Sequence, residues 1–120
     1  MKPGVKPVQI FGTKSSQAAR AAERFFKERN IPLQVIDLKQ KPMAAGEIKR
    51  FTDKFTLRGL LDTESSAYED SGLKYLKVTD AELILRIEKD PRLLKLPLVR
   101  AQNLVSLGND PETWKAMAAL

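Results

Sequence analysis

The chain has 120 residues, a size that suits one domain with a real hydrophobic core. It is 42% hydrophobic and 30% charged, an ordinary globular balance, and it contains no cysteine and no histidine. Those two zeros exclude disulfides, thiolate nucleophiles, Cys/His metal cages and imidazole acid–base chemistry. The net charge of +6 is uneven: residues 1–60 carry 13 basic and 5 acidic side chains, residues 61–120 carry 8 and 10. A basic half suits an anionic partner; lysines and arginines scattered over solvated helices explain it equally well. No run of like charge exceeds two residues, so direct nucleic-acid binding is not expected.

At the N-terminus, Met1-Lys2-Pro3-Gly4-Val5-Lys6-Pro7 lacks an apolar export signal, and no stretch approaches a membrane span. A cytoplasmic location without membrane contact is the expectation. Val8-Gln9-Ile10-Phe11 then reads as a buried strand stopped by Gly12. Gly12-Thr13-Lys14-Ser15 is a loop, and Ser15 or Ser16 caps a helix from Gln17 to Arg29. Its predicted apolar face is Ala18, Ala21, Ala22, Phe25 and Phe26. Asn30 and Pro32 end that helix, and Leu33–Leu38 is a second strand. Strand, helix and strand over about thirty residues form a βαβ unit with parallel strands and a right-handed crossover.

From about residue 42 to 92 the patterns are helical and no strand is expected. Ile48, Phe51 and Phe55 share a face between Ala44 and Phe55, Leu57–Leu61 is a short helical turn, and Glu64–Leu76 reads as polar loop. Thr79-Asp80-Ala81-Glu82 resembles a capping box, opening a helix to about Lys89 with Leu83, Ile84 and Ile87 inward. Asp90-Pro91 ends it. Leu98-Val99-Arg100 and Leu104–Leu107 form a hairpin around Gln102-Asn103. Asp110-Pro111 opens a last helix with Trp114, Met117 and Leu120 on its apolar side. The order βαβ, a helical insertion, then ββα describes a single α/β domain, residues 1–120, with a small mixed four-stranded sheet.

These segments resemble the arsenate reductase and Spx family of thioredoxin-like proteins. Phe11–Ala22 is similar to that family's active-site segment, an aromatic-Gly pair followed by Cys, then Arg and Ala. Leu57-Arg58-Gly59-Leu60-Leu61-Asp62 resembles its arginine-bearing turn. Asp90–Val99 resembles its proline-led strand segment, and Leu107–Trp114 matches its closing pattern loosely, with Asn109 where an aromatic is usual. The resemblance spans about residues 7–118 and implies a thioredoxin-like fold.

The resemblance also implies what is missing. Ser16 occupies the place of the family's nucleophilic cysteine, and Ala19 that of the second redox cysteine in switch members. A serine hydroxyl without a base is a poor nucleophile and cannot cycle through a disulfide. Arg58 matches one anion-binding arginine, but Leu96 stands where a second is usual, and Arg100 is an uncertain match to a third. Pro97 matches the proline whose peptide bond is cis in such folds; alone, it also suits a strand start. The implied remnant of the active-site loop is Thr13, Lys14, Ser15, Ser16, Arg20, Arg58 and Pro97.

Each of these residues has a plainer reading. Ser15 and Ser16 suit a helix cap, Lys14 and Arg20 suit solvent, and Arg58 suits an ion pair with Asp62. No spacing among Asp37, Glu47, Asp62 and Glu64 singles out acid–base or metal work. Two functions remain: a degenerate, non-catalytic binding or regulatory protein, or a residual glutathione-dependent reductase of an oxyanion or thiol. No cofactor is expected. By analogy with Spx-like relatives the partner would be the RNA polymerase α subunit; a small anion or glutathione is the other ligand class.

Overall fold

The computed structural model describes residues 7–120, so the reading of Met1–Lys6 lies outside the described residues. In chain order the elements are β1 (Val8–Gly12), α1 (Gln17–Glu28), β2 (Leu33–Asp37), α2 (Ala45–Phe55) and α3 (Ser66–Ser71). They continue with α4 (Asp80–Lys89), β3 (Leu98–Ala101), β4 (Leu104–Leu107) and α5 (Pro111–Ala118). Single 3-10 turns lie at Arg58–Leu60, Leu73–Tyr75 and Pro91–Leu93. The described chain divides into two compact units. One ends at Asp37 and resumes at Leu96–Leu120; the other is Leu38–Lys95.

The first unit holds the whole sheet, in the order β2-β1-β3-β4. β1 pairs with β2 in parallel, Ile10 opposite Val35, and with β3 antiparallel, Ile10 opposite Val99. β3 and β4 are the expected antiparallel hairpin, turned by Gln102 at φ 54. The sheet is the small mixed four-stranded one that the strand pattern predicts. Val8, Ile10, Val99 and Ala101 on one sheet face pack with Ala22 and Phe26 of α1 and Trp114 and Met117 of α5. The Phe25 ring meets Phe26 edge-on at 5.1 Å and Trp114 at 5.8 Å.

Two details of this packing correct the predicted faces. Ala21 is exposed, and the buried stripe of α1 is Ala19, Ala22 and Phe26. A helix rich in alanine gives little contrast to set its phase, so the sheet sets it. Leu120 lies beyond the end of α5 and is 61% exposed, because the helix stops at Ala118. Asp110 caps α5 as predicted, its carboxylate accepting from the Thr113 N–H at 3.2 Å.

Two buried side-chain polar atoms lack a partner among the described residues, the Trp114 Nε1 and the Ser106 Oγ. Ser106 on β4 is fully buried, and its Oγ has no hydrogen-bond partner among the described residues. A buried hydroxyl without a partner carries its full desolvation cost. Ser106→Ala is therefore expected to raise stability by about 1 kcal/mol, read as a higher urea midpoint at unchanged slope. A fall in the midpoint would show that the hydroxyl is satisfied.

The second unit is helical, its one strand-like contact being an isolated bridge between Leu61 and Leu94. The expected loop at Glu64–Leu76 is corrected here: it contains α3 and a 3-10 turn. Ser65 caps α3 by accepting from the Tyr68 N–H at 3.1 Å, Gly72 ends it at φ 72, and Ala67 and Leu73 are buried. Thr79 caps α4 as expected, but the Glu82 carboxylate lies 3.6 Å from Arg86, so the reciprocal half of the box is absent. Arg92 grips Asp90 through two 2.9 Å hydrogen bonds. That grip holds the Asp90 carboxyl below its ordinary value, so its contribution is complete at neutral pH and fades as pH falls through that lowered value.

Candidate functional site

The loop between β1 and α1 is short because Gly12 lets the chain turn against the helix it precedes. A Cβ on Gly12 would lie 2.8 Å from the Ala19 Cβ and 3.9 Å from the Pro97 Cβ. The loop mouth is thus bounded by the first turn of α1 on one side and by Pro97 on the other. Pro97 is fully buried, its carbonyl accepts from the Gly108 N–H at 2.9 Å, and the Leu96–Pro97 peptide is cis.

Within the loop the hydroxyls bond to one another and to the helix. Of the two candidate caps, Ser16 is the one used: its Oγ accepts from the Ala19 N–H at 3.1 Å. Its own N–H donates to the Thr13 carbonyl at 3.1 Å. Thr13 is 5% exposed, and its Oγ1 lies 3.2 Å from the Ser15 Oγ. Lys14 and Arg20 are exposed, and neither side chain has an ion pair among the described residues. The loop therefore presents α1's N-terminal partial positive charge together with two unpaired cations.

Among the described residues no group accepts a proton from the Ser16 hydroxyl. Its hydroxyl faces a backbone N–H, which fixes the oxygen lone pair rather than removing the proton. With no thiol and no imidazole in the sequence, the loop can attract an anion but has no activated nucleophile.

The first unit brings together Thr13, Lys14, Ser15, Ser16, Arg20 and Pro97. Arg58 belongs to the second unit, where its Nη2 donates to the Val78 carbonyl at 2.8 Å and lies 4.0 Å from Asp80. The expected pairing of Arg58 with Asp62 is corrected: a carbonyl twenty residues on outcompetes the neighbour at i+4 because a tertiary contact holds it in place. Arg100 is engaged too, donating to the Gln102 carbonyl at 3.2 Å and the Gln9 Oε1 at 3.4 Å.

Sequence reasoning missed one feature. A groove of about 360 Å³ runs from the loop along α1 to β2, lined by Lys14, Ala19, Arg20, Ile10, Val35 and Asp37 among others. It exists because β2 is the edge strand and α1 leaves Val35 uncovered. Nothing in Leu33–Asp37 as a string distinguishes an edge strand from a central one.

Among the described residues no helix is long and apolar enough to cross a membrane. The family model described as the ArsC family matches residues 11–117. An arsenate reductase of Neisseria meningitidis serogroup A is 26% identical over 113 residues, which cover 92% of this chain and 97% of that protein. The solved structure of an arsenate reductase from Vibrio cholerae superimposes with a TM-score of 0.77 at 19% identity, covering 94% of this chain and 98% of that one. An arsenate reductase related protein from Brucella melitensis gives 0.68 at 19% identity, over 96% and 97% of the two chains.

Proposed function

Because this chain belongs to the ArsC family and contains no cysteine, we propose that it acts by binding rather than by reducing arsenate. The observation that carries this reading is Ser16. It stands where the family resemblance puts the nucleophile, and its hydroxyl is committed to capping α1. Arsenate reduction needs a sulfur that forms a bond to arsenic and is then regenerated through a disulfide. Serine forms no disulfide, and Ala19 in the second position is inert.

The anion site has thinned as well. A tetrahedral oxyanion is held by convergent forks and cations. Arg58 and Arg100 are engaged by backbone and side-chain acceptors, and position 96 is leucine. What remains is the positive N-terminal end of α1 with Lys14 and Arg20 beside it, a recognition surface without a reactive atom. The natural role of such a surface is to hold a partner or a small anion in a regulatory or adaptor setting.

The test is a steady-state assay of arsenate and of a mixed glutathione disulfide, with glutathione and glutaredoxin supplied. No turnover above the protein-free background is expected. Clear turnover by the pure chain would overturn the proposal, because sulfur chemistry would then be running through supplied thiols on this scaffold.

A further inference from the structure

β2 lies at one edge of the sheet. The Pro32 carbonyl accepts from the Val8 N–H at 2.9 Å, so it points towards β1. Backbone groups alternate sides along a strand, which turns the N–H and C=O of Val35 outward, away from β1. The Val35 side chain is 51% exposed and shares a sheet face with Ile10, its register partner. An outward pair of backbone groups therefore sits beside an open apolar floor.

The groove next to that floor carries two acidic and two basic side chains. Of its acidic side chains, Glu23 is bridged to Lys27 at 2.6 Å, and Asp37 has an interaction of its own. Of its cations, Lys14 and Arg20 are unpaired among the described residues. These two unpaired cations lie at the end where β1 and β2 deliver the chain into loops, placed to meet a ligand's carboxylate.

We infer that the edge of β2, unpaired among the described residues, receives an extended acidic segment of a partner protein. The segment adds as a fifth strand, bonding to the Val35 backbone, resting an apolar side chain on Val35 and placing a carboxylate between Lys14 and Arg20. Main-chain bonds supply the affinity, and the two cations select acidic sequence. A second copy of this chain fits less well: its own edge strand, Leu33-Gln34-Val35-Ile36-Asp37, offers a single carboxylate. This inference rests on reading the chain as a binding protein and names the class of partner.

The experiment uses the full chain and a fluorescent, end-blocked Glu-Val-Glu-Val-Glu peptide, with its Lys-Val-Lys-Val-Lys counterpart and a form N-methylated at the central residues. The acidic peptide is expected to bind at least about tenfold tighter than the basic one, with affinity falling as salt rises. N-methylation should abolish binding without altering charge. Lys14→Glu combined with Arg20→Glu should weaken the acidic peptide about tenfold or more and let the basic peptide bind. Both sites are exposed and an acidic residue suits the first turn of α1, so this variant keeps the fold. Amide shifts on binding should centre on Gln34–Asp37 and on Lys14 and Arg20.

Equal binding of both peptides, indifference to N-methylation, shifts elsewhere, no binding at millimolar peptide, or dimerisation through β2 would each overturn the inference. None of these outcomes touches the reductase assay. Conversely, arsenate turnover would remove the binding reading while leaving the peptide titration interpretable in its own right.

Discussion

Phe26→Ala is expected to destabilise the chain by about 3–5 kcal/mol, the range for deleting a buried aromatic from a packed core. The Phe26 side chain is fully buried at the junction of α1, the sheet and α5. Its loss removes the transfer energy of the ring and leaves a space that Ala22, Val8 and Met117 cannot collapse into without moving helices. It also removes the edge-on contact that orients Phe25, which in turn meets Trp114. A domain of this size commonly holds about 5–15 kcal/mol in total, so the variant stands near the threshold of folding. The measurement is urea denaturation followed by tryptophan fluorescence, since Trp114 reports on the same cluster. Ala21→Gly supplies the comparison: exposed on the same helix, it should cost only about 1 kcal/mol, the propensity difference. If Phe26→Ala costs no more than that control, α1 is not held by this core.

The contrast between positions 21 and 26 also marks how far sequence reasoning reaches. Punctuation was legible. Gly12, Ser16, Pro32 and Asp110-Pro111 act within a turn or two of themselves, and each ends or begins an element where a local rule places it. The family motifs were legible for the same reason, and they directed attention to Ser16, Ala19 and Pro97. What stayed hidden depends on partners distant in the chain. The α3 segment is polar because it buries only Ala67, and it is a helix because Ser65 and Gly72 close its ends. The phase of α1 could not be read among Ala18, Ala19, Ala21 and Ala22, since only contact with β1 selects Ala19. Arg58 looked paired with Asp62 in sequence, yet tertiary structure hands it to Val78. The groove was the least legible of all. It follows from β3 inserting beside β1 and leaving β2 at the edge, a choice made more than sixty residues away.

Gly12→Ala should cost about 1–3 kcal/mol, the usual penalty for forcing an extra methyl into a packed site. The reason is space alone, because the new Cβ would lie 2.8 Å from the Ala19 Cβ, inside any relaxed carbon contact. The clash has one simple release. Ala19→Gly removes the opposing methyl, at a cost of about 1 kcal/mol for glycine within a helix. If the contact is what ties α1 to β1, the double variant is more stable than the sum of the singles by about 0.5–3 kcal/mol, the signature of residues that touch. Additive costs would mean that α1 slides away freely and that the contact positions nothing. The position chosen makes the result bear on function. Ala19 lies three residues after Ser16 and donates the N–H that Ser16 caps, so any shift of α1 moves the hydroxyl that stands in the nucleophile's place. Amide shifts confined to Thr13–Ser16 in Gly12→Ala, reverting in the double variant, would tie the geometry of the loop to this one close approach. In the binding role proposed above, that geometry serves recognition, and the Gly12–Ala19 contact is what preserves it.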